Sequence, residues 1–300
     1  MQHAWNQSRL LTANKIYIVS LCRKFDFPYL DFNLIHFSLL VMQKTSTHSL
    51  LLLYMLFTLS SNVMAQTHPI ENPEPLSGKN ILVVWGGWDG HQPQVFAKKI
   101  SEWADSQGAH VLVSDSLGVY TDASLMNKQD LIIQYWTMGT ITEAQSKGLI
   151  EAVKNGAGLV GCHGGIGDSF RQDTEFQYMV GGQWVSHPGG KINYKVEIAR
   201  TADPVTQGVN DFHIFNTEQY YMHVDPNVKV LARTTFNGDH DSWINGATMP
   251  VVWKKQHHKG RVFYISIGHN PEDFDQPEVW TMLTRGIHWA VRSQLNNQIE

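Results

Sequence analysis

The stretch "GLVGCHGGIGDSF", residues 158–170, joins an apolar run to a glycine-rich segment. An apolar run ends abruptly there in glycines that flank Cys162 and His163. Residues 161–165, "GCHGG", fit the pattern in which a functional residue stands between glycines at a tight turn from a strand into a helix. The central residue of that pattern is His163. The stretch therefore predicts a buried strand that ends beside a functional histidine.

Cys162 occupies the last position of this predicted strand. Successive side chains of a strand point to opposite faces, so we expect the thiol to point back into the sheet packing as a small apolar group. For His163 the alternative is a hydrogen-bonded turn residue. We favour a functional role because a histidine on a glycine-lined turn has little to pack against.

Short apolar runs alternate with amphipathic helices ahead of this stretch. Three of these runs are predicted strands: "NILVVWGG" (80–87), "HVLVSD" (110–115) and "DLIIQYW" (130–136). Pro93 begins a predicted helix whose core-facing residues are Val95, Phe96, Ile100, Trp103 and Ala104. Strands that are apolar throughout and separated by helices predict a mainly parallel sheet covered on both faces. The expected fold class is therefore a doubly wound α/β domain.

The remaining elements continue this pattern and add strands in the second half. Thr142 and Gln145 predict a capping box for a helix that ends at Asn155. Pro277 begins a last helix. Four further strands, some of them antiparallel at a sheet edge, are predicted in "YKVEIA" (194–199), "VKVLART" (228–234), "MPVVWKK" (249–255) and "GRVFYISIG" (260–268).

The N-terminal region has the features of a secretory signal peptide. Residues 42–65 contain a lysine near their start, an apolar run at 50–59, and Val63 and Ala65 at the positions expected before a cleavage site. The run is shorter than the roughly 20 residues that a membrane-spanning helix needs. We therefore expect export to the periplasm or outside the cell without a stable anchor, and we interpret residues 1–41 as upstream sequence translated from too early a start.

The mature chain is expected to begin at Gln66. Residues 66–78 are predicted to be an extended linker and residues 79–293 one domain. Because Cys22 lies ahead of the signal peptide, Cys162 is the one cysteine of that mature chain, which excludes an internal disulfide.

Composition limits the class of partner. The net charge of −4 and the pI near 6.4 give no basic surface for phosphates, so we expect a small molecule and no nucleic acid. Neither a G-x-G-x-x-G fingerprint nor a P-loop follows the first predicted strand, so we expect no nucleotide cofactor. The sequence leaves open whether copies of the chain associate.

Ligands of open α/β sheets bind beyond the carboxyl ends of the strands, where this sequence places several polar and aromatic side chains. Predicted sugar-binding residues are Asp89, His91, Trp136, Thr137 and Tyr221. Predicted catalytic residues are His163, His187, Glu218 and His269. No metal-binding motif of regular spacing occurs, so a metal site would have to be assembled from separate loops.

Six segments, in order from Lys79 to Arg292, resemble the ThuA-like, or trehalose-utilisation, family. They are "GGWDGHQP", "YWTMGTIT", "GLVGCHGG", "GGQWVSHPGG", "NTEQYYMHVDP" and "IGHNPEDFDQPEVWTMLTRGIHWA". The resemblance implies the flavodoxin-like fold of class I glutamine amidotransferases. It also implies a role in catabolism of trehalose or related glycosides, through 3-keto-sugar intermediates.

The resemblance also bears on the reaction. In amidotransferases of this fold a cysteine at the centre of the turn attacks glutamine, whereas the matching residue here is His163. Cys162 is one position away and points the opposite way, so glutamine hydrolysis is disfavoured. A neutral imidazole can instead accept a proton or bind a divalent metal.

Our leading hypothesis is an exported enzyme that hydrolyses, eliminates or isomerises a glycoside or keto-sugar. A divalent metal, zinc or manganese, is expected as a cofactor on His163, His187 and His269. One alternative is a sugar-binding protein without catalysis, in which the same loops hold the ligand. Another is an amidohydrolase that uses Cys162.

Overall fold

The computed structural model describes residues 74–292. The predicted signal peptide and the segment ahead of it lie outside the described residues. Within residues 74–292, no helix is both long enough and apolar enough to cross a membrane.

The described residues contain eleven strands and six α-helices. The strands are β1 (Asn80–Gly87), β2 (His110–Ser114), β3 (Leu131–Thr137), β4 (Gly158–Cys162), β5 (Gly182–Ser186), β6 (Lys191–Ile198), β7 (Phe212–Glu218), β8 (Tyr221–Val224), β9 (Lys229–Thr235), β10 (Thr248–His257) and β11 (Gly260–Ile265). The helices are α1 (Pro93–Ser106), α2 (Ala123–Met126), α3 (Glu143–Lys154), α4 (Gly164–Gly167), α5 (Thr174–Val180) and α6 (Pro277–Ala290).

Nine of these strands form one sheet in the order β2-β1-β3-β4-β11-β10-β9-β6-β7. The pairs from β2 to β11 are parallel, and those from β11 to β7 are antiparallel. Strands β5 and β8 form a separate antiparallel pair. The predicted α/β sheet with extra strands in the second half is therefore confirmed.

Alternate residues of the parallel strands pack on opposite faces of the sheet. Ile81 and Val83 of β1 belong to a core that includes apolar residues of α1 and α6. Leu82 and Val84 belong to a second core with residues of α3 and α5. Because both faces are covered, the strands are apolar throughout, and their carboxyl ends remain available for a binding site.

The predicted helix signals are confirmed with one exception. Thr142 and Gln145 form both hydrogen bonds of the capping box at the start of α3. Pro93 and Pro277 stand at the first positions of α1 and α6. Val95, predicted to face the core, is 46% exposed. Pro93 and Phe96, on either side of it in the same turn, are buried, so Val95 lies on the solvent-facing side of α1.

The turn after β4 has the predicted geometry. His163 stands between Cys162, the last residue of β4, and α4, with φ 49° and ψ −134°. The glycine at 165 is required by packing, because a Cβ there would lie 2.7 Å from Cα of Tyr135. The turn therefore places His163 beyond the end of the sheet in a conformation that non-glycine residues seldom adopt.

Candidate metal centre

Four side chains converge beyond the carboxyl ends of the strands. His91 belongs to a 3-10 turn after β1, His163 follows β4, Glu218 ends β7 and His269 follows β11. Each offers one ligand atom, and the four atoms all lie within 4.8 Å of one another. We refer to these four residues as the His/Glu cluster.

The backbone of the neighbouring strand fixes the orientation of His163. Its main-chain N–H donates to the carbonyl of Ile265 at 2.7 Å. Its Nδ1 lies 2.9 Å from the carbonyl oxygen of Ser266. A carbonyl oxygen only accepts hydrogen bonds, so Nδ1 carries a proton. In the neutral ring, Nε2 is then the atom with the free lone pair.

That lone pair faces a negative charge. Nε2 of His163 lies 3.1 Å from Oε2 of Glu218 and 2.8 Å from the hydroxyl of Tyr220. Burial lowers the pKa of His163 more than the nearby Glu218 raises it. Burial would raise the pKa of Glu218, but its interactions with the neighbouring His163 and His269 hold that pKa below its usual range. A neutral imidazole thus opposes a carboxylate, and a cation between them would satisfy both.

His91 is held in the same manner. Its ring is buried and its Nδ1 lies 2.8 Å from the hydroxyl of Thr137. Burial first, and the neighbouring histidines second, lower the pKa of His91 to about 2. The imidazole of His91 is therefore neutral at physiological pH and can donate an electron pair to a metal. Histidine ligands of metals ordinarily have their second nitrogen fixed by a carbonyl or a polar side chain, as for His91 and His163 here.

His269 completes the group. Its Nδ1 is buried and lies 3.2 Å from Oε1 of Glu218, without the alignment of a hydrogen bond. Its ring centroid is 5.1 Å from that of His91 and 5.5 Å from that of His163. A buried polar atom without an aligned partner is costly, and a metal ion bound to Nδ1 would remove that cost.

The donor set is three imidazole nitrogens and one carboxylate oxygen. This set suits zinc and other divalent transition metals, including manganese. Zinc bonds to nitrogen of about 2.0–2.1 Å would draw the four side chains closer together. The His/Glu cluster could therefore hold a divalent metal.

His187, a predicted metal ligand, lies at the edge of this cluster. Its Nε2 is 3.7 Å from Oε1 of Glu218, and its side chain is 37% exposed. Its ring lies 6.4 Å from that of Tyr220, nearly parallel to it. The structure places His91, predicted to bind sugar, among the four converging residues, and His187 outside them.

The other predicted sugar-binding residues have diverse surroundings. Asp89 is exposed and shares the 3-10 turn of His91. Thr137 is buried beside His91. Trp136 is half-buried and lies against Gly86. Tyr221 packs on Phe236, with ring centroids 5.7 Å apart. The binding roles of these residues stay predictions.

Tyr220, which is not among the predicted site residues, contacts the cluster directly. Its ring stacks on His163 at 4.1 Å between centroids and an interplanar angle of 29°. The signal that could have identified it is its position two residues after Glu218.

Cys162 is fully buried in the core, as predicted. Burial raises the pKa of its thiol well above its ordinary value. Since the thiolate is the nucleophilic form, this environment suits a packing residue and does not activate the sulfur.

Comparisons with known proteins agree with the fold. A putative ThuA-like protein of Bacteroides uniformis has a similar structure, with a TM-score of 0.58 and 18% sequence identity, covering 71% of this chain and 90% of that chain. One from Parabacteroides merdae has a TM-score of 0.59 and 19% identity over the same shares. These neighbours have the glutamine amidotransferase-like fold.

The search of curated proteins finds no match. The model of the trehalose-utilisation family, ThuA, matches residues 80–290. That range includes every residue of the His/Glu cluster and nearly all of the described structure. The chain therefore belongs to the ThuA family.

Proposed function

We propose that the chain is an exported enzyme that converts a glycoside or a 3-keto-sugar related to trehalose at the His/Glu cluster. The observation that carries the proposal is the position of His163 Nε2, 3.1 Å from Oε2 of Glu218, at the carboxyl edge of the sheet. Family membership supports a sugar as the substrate.

In this proposal His91, His163, Glu218 and His269 hold a divalent metal, zinc or manganese. The metal would act as a Lewis acid toward the ketone oxygen of the sugar. Because Glu218 would be the one negatively charged ligand of the four, a divalent metal there would keep a net positive charge, which suits an oxygen on which negative charge develops.

His187 is the proposed proton acceptor. Its half-exposed ring lies at the edge of the cluster, where a substrate could touch it. In a 3-keto glycoside the hydrogen on C2 is acidified by the ketone. Transfer of that proton to His187, with breakage of the C1–O bond, forms a C1–C2 double bond and releases an alkoxide. His187 then returns the proton to the alkoxide, which leaves as an alcohol.

The test incubates the mature protein with a panel of glycosides and their 3-keto forms, with and without zinc or manganese, and identifies products by mass spectrometry. We expect a metal-dependent product from at least one keto form. A Glu218→Gln variant is the control for catalysis by free metal. Sugars that bind and are recovered unchanged would instead support a binding protein without catalysis.

The proposal of export rests on the apolar run at 50–59 and on Val63 and Ala65. Intact-mass analysis of the native protein from the cell envelope or medium should give a chain that starts at Gln66. A cytosolic protein that retains residues 42–65 would contradict export without affecting the proposed chemistry.

A further inference from the structure

An exposed tryptophan borders the His/Glu cluster. Trp88 directly follows β1, and its side chain is 47% exposed. Its ring centroid lies 4.7 Å from that of His91, with an interplanar angle of 77°. The indole therefore presents an apolar surface to solvent directly beside one of the four converging residues.

The neighbouring backbone holds this indole in place. The main-chain N–H of Trp88 donates to the carbonyl of Thr137 at 3.1 Å. The indole packs on Gly90, where a Cβ would lie only 2.2 Å from the ring. Met138, which follows Thr137, is also 36% exposed. The rim of the cluster thus carries a positioned apolar surface, which lowers the entropy cost of binding a ligand there.

We propose that Trp88 is a sugar-binding platform that stacks on the C–H face of a pyranose ring and holds that ring above His91. This inference rests on the proposed function in taking a sugar as the ligand. A pyranose with mainly equatorial hydroxyls has a flat apolar face, and indole offers a flat surface of matching size. The substrate class is accordingly a glucose-like pyranoside, and Trp88 contributes to its selection.

The test is sugar binding measured separately from turnover. The metal-loaded protein, labelled with ¹⁵N in its tryptophans, is titrated with methyl α-D-glucopyranoside and with α,α-trehalose. The indole resonance of Trp88 is assigned from its loss in Trp88→Phe. We expect that resonance to shift on titration, and Trp88→Ala to bind about tenfold more weakly, the equivalent of roughly 1.4 kcal/mol. Trp88→Phe should retain most of the affinity.

Two further variants separate stacking from general effects. Gly90→Ala displaces the indole without deleting it and should also weaken sugar binding. Tyr178→Ala removes another exposed aromatic side chain, 64% exposed, whose ring contacts are with His257 and Lys255, and should bind sugar like the wild type. The metal content of all variants should be unchanged.

Three results would overturn the proposal: equal sugar affinity of Trp88→Ala and the wild type, a stationary Trp88 resonance while sugar binds, or no binding of either sugar. Binding through Trp88 without any product from the keto-sugar panel would leave the platform standing and contradict the enzymatic function. Turnover that is unchanged in Trp88→Ala would support the enzymatic function and contradict the proposed role of Trp88.

Discussion

His163 Nε2 and Glu218 Oε2 lie 3.1 Å apart while His163 Nδ1 faces the carbonyl oxygen of Ser266. The carbonyl fixes the proton on Nδ1, so the neutral ring turns a lone pair toward the carboxylate. Burial disfavours protonation of His163, and Glu218 remains ionised. The pair is therefore arranged so that a cation could bind between the two side chains.

Metal binding should stabilise the folded protein. A ligand that binds only the folded state at a free concentration of 100 times its Kd adds about 2.7 kcal/mol to the free energy of unfolding. We expect zinc or manganese to raise the melting temperature of chelator-treated protein. Glu218→Gln, which keeps the shape of the side chain but removes its charge, should lose this response. An equal shift in both proteins would place the metal elsewhere.

The glycine at 164 should be needed for the position of His91. A Cβ at this residue would lie 2.8 Å from Cε1 of His91, closer than such atoms approach. Gly164→Ala should therefore displace the buried ring and weaken metal binding at least tenfold, measured by calorimetric titration. Gly118→Ala, where the nearest atom is the hydroxyl of Ser116 at 3.2 Å and no part of the His/Glu cluster is close, is the matched control and should bind metal normally.

Neighbouring residues of the turn should behave differently. Cys162→Ala removes a small buried group and should change the free energy of unfolding by about 1 kcal/mol while turnover stays largely intact. His163→Ala should abolish turnover. Urea unfolding and product formation, measured on both variants, distinguish a packing role from a catalytic one. Equal loss of turnover in folded Cys162→Ala and His163→Ala proteins would contradict the assignment of Cys162 to packing.

An ion-pair group outside the His/Glu cluster should contribute stability that is lost in acid. The side chain of Asp203 is 2% exposed and lies 2.6 Å from Nζ of Lys254 and 2.7 Å from Nζ of Lys229. Burial would raise the pKa of Asp203, but its hydrogen bonds with these lysines lower it below 3.8. Because the pKa of Asp203 is lower in the folded protein than in the unfolded chain, its carboxylate stabilises the fold at pH values above 3.8. This stabilisation is lost as the pH falls through the folded pKa.

Asp203→Asn should accordingly cost roughly 3–5 kcal/mol of unfolding free energy at neutral pH. The difference from the wild type should shrink as the pH falls below the ordinary aspartate pKa. Urea unfolding of both proteins at neutral and at strongly acidic pH measures this difference in unfolding free energy. A difference that stays constant over that range would show that the carboxylate is not the source of the stability.

The parallel half of the sheet could be predicted because its strands are covered on both faces and are therefore apolar throughout. Strand β7 was not predicted, since it is an edge strand with mixed burial, and Asn216 interrupts its pattern with φ 52°. The short pair β5 and β8 is equally mixed in burial. Such strands are stabilised by pairing with distant segments, which no local pattern records.

Convergence of the candidate residues could be anticipated because loops at the carboxyl ends of parallel strands share one edge. Which of His91 and His187 belongs to the His/Glu cluster could not be predicted from the sequence. It depends on the turn after β1, which orients the ring of His91 toward His163, and on the longer connection that leaves His187 at the rim. Both depend on backbone angles that residue types alone do not determine.

We propose that the His/Glu cluster is a divalent metal site. Anomalous diffraction from crystals of the zinc-loaded protein, recorded on both sides of the zinc edge, shows directly whether zinc binds there. We expect one strong anomalous peak within bonding distance of His91, His163, Glu218 and His269, at about 2.0–2.1 Å from the histidine nitrogens. An anomalous map without a peak there, with Nε2 of His163 still beside Glu218 and Tyr220, would contradict it.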